Sequence, residues 1–281
     1  MDSSKITSAS LGYLVIPYVL ISTFQFQFAK DALNYTSVFF LMGVRFLIAA
    51  SLLFCALREF HPIFNKDTAL LSLFTAASAG LWGSGLLYVS PSESAVLSYT
   101  MPLFSIPLSL LILSERIRIR EAIGTTIGLL GVIVYSLPFL SNTITLVGAI
   151  LTLANAAFWA LYTVYYRKHK TQNQGMTVAT QFLITSAVFL ILSPLEFKLV
   201  LSPSFWVDLT YLSVLSAVVS FLLWNTMARS HRVGKMTSLI YLTPAAATLV
   251  QAIETSIMPQ PVSLIGITVM TLGVGLSTLN R

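Results

Sequence analysis

Charge is what this chain has least of. Asp, Glu, Lys and Arg make up 9% of its 281 residues, against about 25% in ordinary soluble domains. So few charges cannot clothe a water-soluble surface when 56% of the residues are hydrophobic and the mean hydropathy is +0.83. The same apolar surplus excludes disorder. Cysteine is nearly absent. Cys55 stands alone, which excludes an internal disulfide and any cysteine metal cluster. The histidines His61, His169 and His231 are isolated, and neither HExxH nor a serine elbow occurs, so no metal site and no catalytic set is expected. Gly234-Lys235 lacks the earlier glycine and the following hydroxyl of a phosphate loop. No cofactor is expected. The net charge of +6 does not mark a nucleic-acid partner, because the basic residues are scattered between apolar runs. That scatter is how membrane topology is written.

What is present is a succession of long apolar runs. Runs of about 18 to 23 residues match the length that crosses ~30 Å of hydrocarbon at 1.5 Å per residue. Ten are expected: Leu11–Phe28, Ser37–Leu57, Ala69–Val89, Ala95–Leu113, Ala122–Leu140, Leu146–Tyr166, Val178–Leu195, Phe205–Met227, Met236–Ile257 and Val262–Leu279. The runs are continuous rather than alternating, so helices are expected, not a barrel. The first contains Gln25 and Gln27 and lacks a small-residue cleavage site, so it reads as a retained helix. Thirteen basic residues fall on the side of the N-terminus, only Lys30 and Lys198 on the other, and Arg45 within a span. This bias places both termini in the cytoplasm of a multi-pass, integral membrane protein, with membrane lipid as its surroundings.

An offset of 142 residues superposes the two halves of the chain. It pairs Trp82 with Trp224, Tyr99 with Tyr241, Pro102 with Pro244, Gly124 with Gly266, Thr126 with Thr268 and Gly131 with Gly273. Residues 1–140 and 141–281 then form two repeats of five spans each. Five is odd, so the second repeat enters the membrane with opposite orientation. The expected fold is therefore an all-α membrane protein of two inverted-topology five-helix repeats, with binding near the midplane between them.

Several segments carry a resemblance. They are Gly85–Pro102 (GLLYVSPSESAVLSYTMP) with its continuation to Ile117, then Phe158–Tyr162 followed by Arg167-Lys168, Phe221–Trp224 and Ser238–Pro244. In order, spacing and duplication the sequence resembles the drug/metabolite transporter superfamily, of the ten-helix type with two EamA-like repeats. The resemblance covers essentially the whole chain. It implies a secondary transporter, more readily an exporter, in a prokaryotic plasma membrane and working as a monomer or homodimer. Departures are local. The first helix lacks a tryptophan often found there, and the repeat counterpart of Glu115 is Ile257, with Glu254 about one turn earlier.

Candidate site residues follow from polar groups inside spans. Arg45 sits near a span centre, where a charge costs ~3 kcal/mol or more. It either recognises a carboxylate or phosphate or locks the bundle through helix carbonyls, and an arginine here recurs in the resembled family across unlike substrates. Asn155, Trp159 and Tyr162 share one helix face, read either as cavity wall or as packing glue. Ser78 and Trp82 recur as Ser220 and Trp224, with Ser216 extending the second stripe. Trp224 near an inner helix end and Trp206 at the outer surface read as interfacial belt residues. Tyr99 and Tyr241 precede Pro102 and Pro244, whose missing N–H frees the carbonyls of Ser98 and Ile240. These two bent helices are candidate gates, or simply kinked packing helices. Glycines at 124, 128, 131, 266, 273 and 275 suit close packing of the fifth and tenth helices. Glu93 reads as a solvated loop residue, Glu115 as a local pair with Arg116, and Glu254 as the in-span acid available for proton coupling. The expected substrate is a small organic molecule such as an amino acid. The alternatives are an exporter of amphipathic drugs and, with little support from the motifs, an integral-membrane enzyme.

Overall fold

The computed structural model describes residues 8–115, 118–140, 146–169, 173–239, 241–256, 258 and 260–278. Among them the chain is helical almost throughout. The helices are α1 (Ser8–Tyr35), α2 (Val38–Leu57), α3 (Lys66–Leu86), α4 (Pro91–Ser98), α5 (Pro102–Leu113), α6 (Ile119–Leu140), α7 (Leu146–Lys168), α8 (Gln174–Leu192), α9 (Pro203–Thr210), α10 (Ser220–Ser230), α11 (Val233–Leu239), α12 (Leu242–Thr255) and α13 (Pro261–Thr278). α4 and α5 form one bent rod. α9 runs through a π-helical segment, Tyr211–Val219, into α10. α11 and α12 are parted by Tyr241 and by Ile240, which lies outside the described residues. Among the described residues, counting each interrupted rod once gives ten helices. Among them seven stretches are long and apolar enough to cross a membrane, and α13 adds a shorter one, Pro261–Gly273.

Helix starts follow local chemistry. Asn65, Asn173 and Ser202 each cap a helix by accepting a backbone N–H with the side chain, which satisfies one of the orphan donors of a first turn. Ser90 and Glu93 form a reciprocal capping box ahead of Pro91. Glu93 is thus a helix-start residue, not a freely solvated loop acid.

The rods bury one part of their apolar surface and expose another. Leu111, Ile191 and Ile253 are 81, 77 and 79% exposed, as expected where the surrounding solvent is hydrocarbon rather than water. Inside, α2 packs on α8, α3 on α7, and α1 on the π-containing rod and on α12. A short join between the α1–α2 turn and the segment after α8 fixes one end, through Val200 N–H to the Tyr35 carbonyl at 2.7 Å and Ser37 N–H to the Lys198 carbonyl at 3.2 Å.

The tightest seam lies between α6 and α13. A Cβ added at Gly131 would stand 2.5 Å from the Met270 nitrogen and 2.8 Å from the Gly266 carbonyl. One at Gly273 would stand 2.5 Å from the Gly124 carbonyl and from the Gly128 nitrogen, and one at Gly266 would stand 2.6 Å from the Tyr135 nitrogen. Contacts of early residues with late ones make the two helices antiparallel. These glycines permit a backbone-to-backbone approach that no larger residue allows. A Cβ added at Gly275 would meet nothing within 4 Å.

Gly131→Ala is expected to destabilise the protein by about 1–3 kcal/mol, the usual cost of overpacking. Thermal unfolding in detergent should show a lowered midpoint for Gly131→Ala and an unchanged or slightly raised one for Gly275→Ala.

Candidate functional site

At the centre of the bundle, α1, α2, α3, the α4–α5 bend, α7 and the π-containing rod surround a cavity of about 100 Å³. That is room for several waters or a small organic solute. Tyr18 and Phe26 of α1, Phe46 of α2, Trp82 of α3, Tyr99 at the bend, Trp159 of α7 and Phe221 of α10 give it an aromatic wall. Phe26 meets the edge of Trp82 at 5.6 Å between ring centres, and Trp159 meets Phe221 at 5.0 Å.

Arg45 is the one charged residue in this lining. It is 3% exposed. Its Nε donates to the carbonyl of Leu212 at 3.0 Å, and Nη2 donates to Ser216 Oγ at 2.9 Å. Ser216 in turn donates to Gln25 Oε1 at 2.7 Å. Both acceptors lie in the π-helical segment, where the wider turn shifts carbonyls away from their α-helical partners. The guanidinium thus pins α2 to that segment. Nη1 makes only a 3.8 Å contact with the Met42 sulfur. The guanidinium carbon lies 5.5 Å from the Trp82 ring and 5.2 Å from the Phe46 ring, favourable cation–π distances. Among the described residues no carboxylate pairs with Arg45.

Asn155 is a junction. Its Oδ1 accepts from Ser78 Oγ at 2.7 Å and its Nδ2 donates to Ser98 Oγ at 3.0 Å. One amide therefore ties α3, α7 and the end of α4 together beside the bend. Pro102 cannot donate to the Ser98 carbonyl, but the N–H of Met101 takes that carbonyl at 3.2 Å in a tighter turn. Of the two carbonyls expected to be free, that of Ser98 is already satisfied, and Ile240 lies outside the described residues.

Of the nine residues expected to touch a substrate, Arg45, Ser78, Trp82, Tyr99, Asn155, Trp159 and Ser220 line this cavity. Tyr162 does not. It is fully buried beneath, with its ring stacked on Trp159 and its hydroxyl 3.0 Å from Asn225 Oδ1. Tyr241 is also elsewhere, packed on the Gly128 face of α6 with Val96, Val132, Tyr135 and Met270. Pro102 and Pro244 are buried at the starts of α5 and α12. Glu254 belongs to α12, and its side chain lies outside the described residues. Trp224 is no belt residue. It is fully buried, its Nε1 donates to Thr163 Oγ1 at 2.9 Å, and its ring stands 5.1 Å from that of Tyr18. Trp206, at 53% exposed, remains on the surface.

Sequence reasoning passed over Tyr18, Gln25, Phe26, Phe46 and Phe221 as lining residues. Only Gln25 carried a signal, a polar side chain inside the first apolar run. It also passed over Asp208, which lies inside the expected Phe205–Met227 span and is buried with its Oδ2 making no hydrogen bond.

Away from the cavity, charged groups pair with one another. Glu115 pairs with Arg167 at 2.5 Å and accepts the Val233 N–H at 3.1 Å. Arg167 also donates to the carbonyls of Ala228 and His231. The expected partner of Glu115, Arg116, lies outside the described residues. His169 pairs with Asp67 at 3.3 Å instead of standing free in solvent.

Two segments, residues 11–137 and 146–279, each match the model of the EamA-like transporter family. The chain belongs to that family. This EamA-like transporter is 46% identical over 242 residues to an uncharacterized transporter in the sor 3' region of Acidianus ambivalens, spanning 86% of this chain and 94% of that one. It is 27% identical over 257 residues to the uncharacterized transporter YvbV of Bacillus subtilis, spanning 88% and 83%. A crystal structure of another protein superposes with a TM-score of 0.81 over 96% of this chain and 98% of that one. At 18% identity it shows a shared fold alone. The family and these relatives are transporters, not enzymes.

Asn155→Leu should remove both hydrogen bonds of the junction and loosen the bend. The expected loss is about 1–2 kcal/mol, in line with interhelical bonds in membranes. Thermal unfolding in detergent reads it, with Trp159→Phe as the variant that leaves the midpoint nearly unchanged.

Proposed function

We propose that this transporter is a secondary carrier of ten membrane spans that moves a small amphiphilic metabolite, of the size of an amino acid, by alternating access. Residues 1–140 and 141–281 act as two inverted five-helix halves, and export is the working direction. The observation that carries this reading is the central cavity, because both halves build it. α1 to α5 supply Arg45, Trp82 and Tyr99, and the second half supplies Asn155, Trp159 and Ser220.

The α6–α13 seam supports the inverted arrangement. Gly131 meets Met270 and Gly266, while Gly273 meets Gly128 and Gly124. The 142-residue offset exchanges these two sets. Antiparallel helices related in this way have their two-fold axis across both of them. For helices that cross a membrane, that axis lies in the membrane plane.

Unlike surroundings of equivalent residues support alternation. Tyr99 faces the cavity, whereas its counterpart Tyr241 is packed against Gly128. Exchange of the two environments moves the opening from one side to the other. With the basic loops in the cytoplasm, the Glu115–Arg167 pair stands on the cytoplasmic side. An exporter of amphipathic drugs is the second reading, and the aromatic wall favours it.

Uptake and counterflow in proteoliposomes, with a panel of amino acids, drugs and sugars, tests the proposal. Substrate-specific counterflow by the wild type, lost in Asn155→Ala/Trp159→Ala protein that remains folded, is the expected result. Counterflow retained by that double variant contradicts the central cavity as the route. A flux that never saturates and shows no counterflow contradicts a carrier.

A further inference from the structure

We propose that the central cavity selects organic anions: its substrate carries a carboxylate and a net negative charge, held at the Nη1 edge of Arg45 and the indole N–H of Trp82. This deepens the carrier reading and rests on it for the cavity being the transport site.

Among the described residues no Asp, Glu, Lys or His lines the cavity beside Arg45. A buried cation with no counter-charge is a costly arrangement. Two of the three guanidinium nitrogens are held by fixed groups of the π-helical segment. The third, Nη1, touches only a thioether sulfur, which is a weak acceptor. That edge can still take an anionic oxygen.

The balance of donors points the same way. Trp82 Nε1 is buried and makes no hydrogen bond in the protein, and Ser220 Oγ is the same. An indole N–H can only donate. The Trp82 ring and the guanidinium are neighbours, so an unused donor and an unneutralised cation bound one space. A carboxylate supplies two acceptor oxygens and the missing charge together.

Among the described residues the lining offers a cation no carboxylate, and Asn155 Oδ1 and Gln25 Oε1 each already accept one hydroxyl, from Ser78 and Ser216. An ammonium group would lose its water with no carboxylate to face, and would sit near Arg45. Zwitterions and cations are therefore disfavoured relative to an anion of the same shape. The aromatic wall accepts the apolar body of such a molecule.

The test uses the purified full-length chain in detergent and four compounds that share a phenyl ring but differ in charge. These are phenylacetate, phenylacetamide, phenylalanine and phenethylammonium. Ligand-induced stabilisation against heat reads binding. Phenylacetate should stabilise at millimolar concentration, with phenylacetamide about tenfold weaker and the other two giving no shift. Trp82→Phe keeps a ring and removes the N–H, and it should weaken phenylacetate by about tenfold. Arg45→Gln should abolish the preference for phenylacetate over phenylacetamide. Because Arg45 also holds the π-helical segment, Trp82→Phe decides the matter if Arg45→Gln does not fold. Equal or stronger binding of phenylalanine or phenethylammonium overturns the proposal, and so does the absence of any phenylacetate shift. Counterflow of the same four compounds separates the two readings. Anion-selective binding without counterflow keeps the anion site and removes the carrier. Counterflow of the cation alone keeps the carrier and removes the anion site.

Discussion

A positive charge buried in a hydrocarbon-embedded bundle is the constraint on which the rest of this structure depends. Arg45 cannot face lipid, so α2 must turn it inward, and something inside must accept its hydrogen bonds. The π-helical segment provides a carbonyl at Leu212 and a hydroxyl at Ser216. Gln25 extends the set to α1. Three helices are thereby fixed around one polar centre, and the aromatic side chains of that centre leave a cavity where close packing would otherwise be expected. Structure and site meet in the same group. Two nitrogens hold the bundle, and the delocalised charge is the one formal charge in the cavity lining.

Stiffness is distributed unevenly around that centre. The α6–α13 seam is backbone against backbone, with glycines at the crossing points, and has little room to slide. The cavity wall is different. It contains a bent rod at Tyr99–Met101, where the Ser98, Thr100 and Met101 carbonyls accept in a tighter turn, and a π-distorted rod opposite. Both irregularities sit where backbone hydrogen bonds can change partner without exposing a group to lipid. For the proposed alternating access, a tight seam beside two irregular walls would be the physical basis of opening on alternate sides.

Much of this was legible in the sequence, for identifiable reasons. Long apolar runs are set by membrane thickness, so most helices fall close to their expected bounds, while α1 runs on past Phe28 to Tyr35. Glycines at 131, 266 and 273 signalled contact because only packing explains so small a residue in such helices. Arg45, Ser78, Trp82 and Asn155 stood out because polar groups inside apolar runs must converge. What could not be read was the third dimension. Trp224, five residues from Arg229, had the look of an interfacial residue and is instead sealed against Tyr18 and Thr163. Tyr162 shares a helix face with Asn155 yet lies beneath the cavity, because a face spans more depth than a pocket does. Tyr241 repeats Tyr99 in sequence but not in surroundings, since one conformation need not treat two related halves alike. Nothing marked Phe26, Phe46 or Phe221 as a cavity residue among eighteen phenylalanines.

The central claim is that one cavity serves both sides of the membrane in turn. Ala79 lines that cavity and makes no side-chain hydrogen bond that a substitution would break. With the exposed Cys55 replaced by serine, Ala79→Cys can be challenged with a membrane-impermeant thiol reagent from either face of sealed vesicles. The account predicts labelling from each face, slowed from both by a transported solute. Labelling confined to one face under all conditions would contradict it.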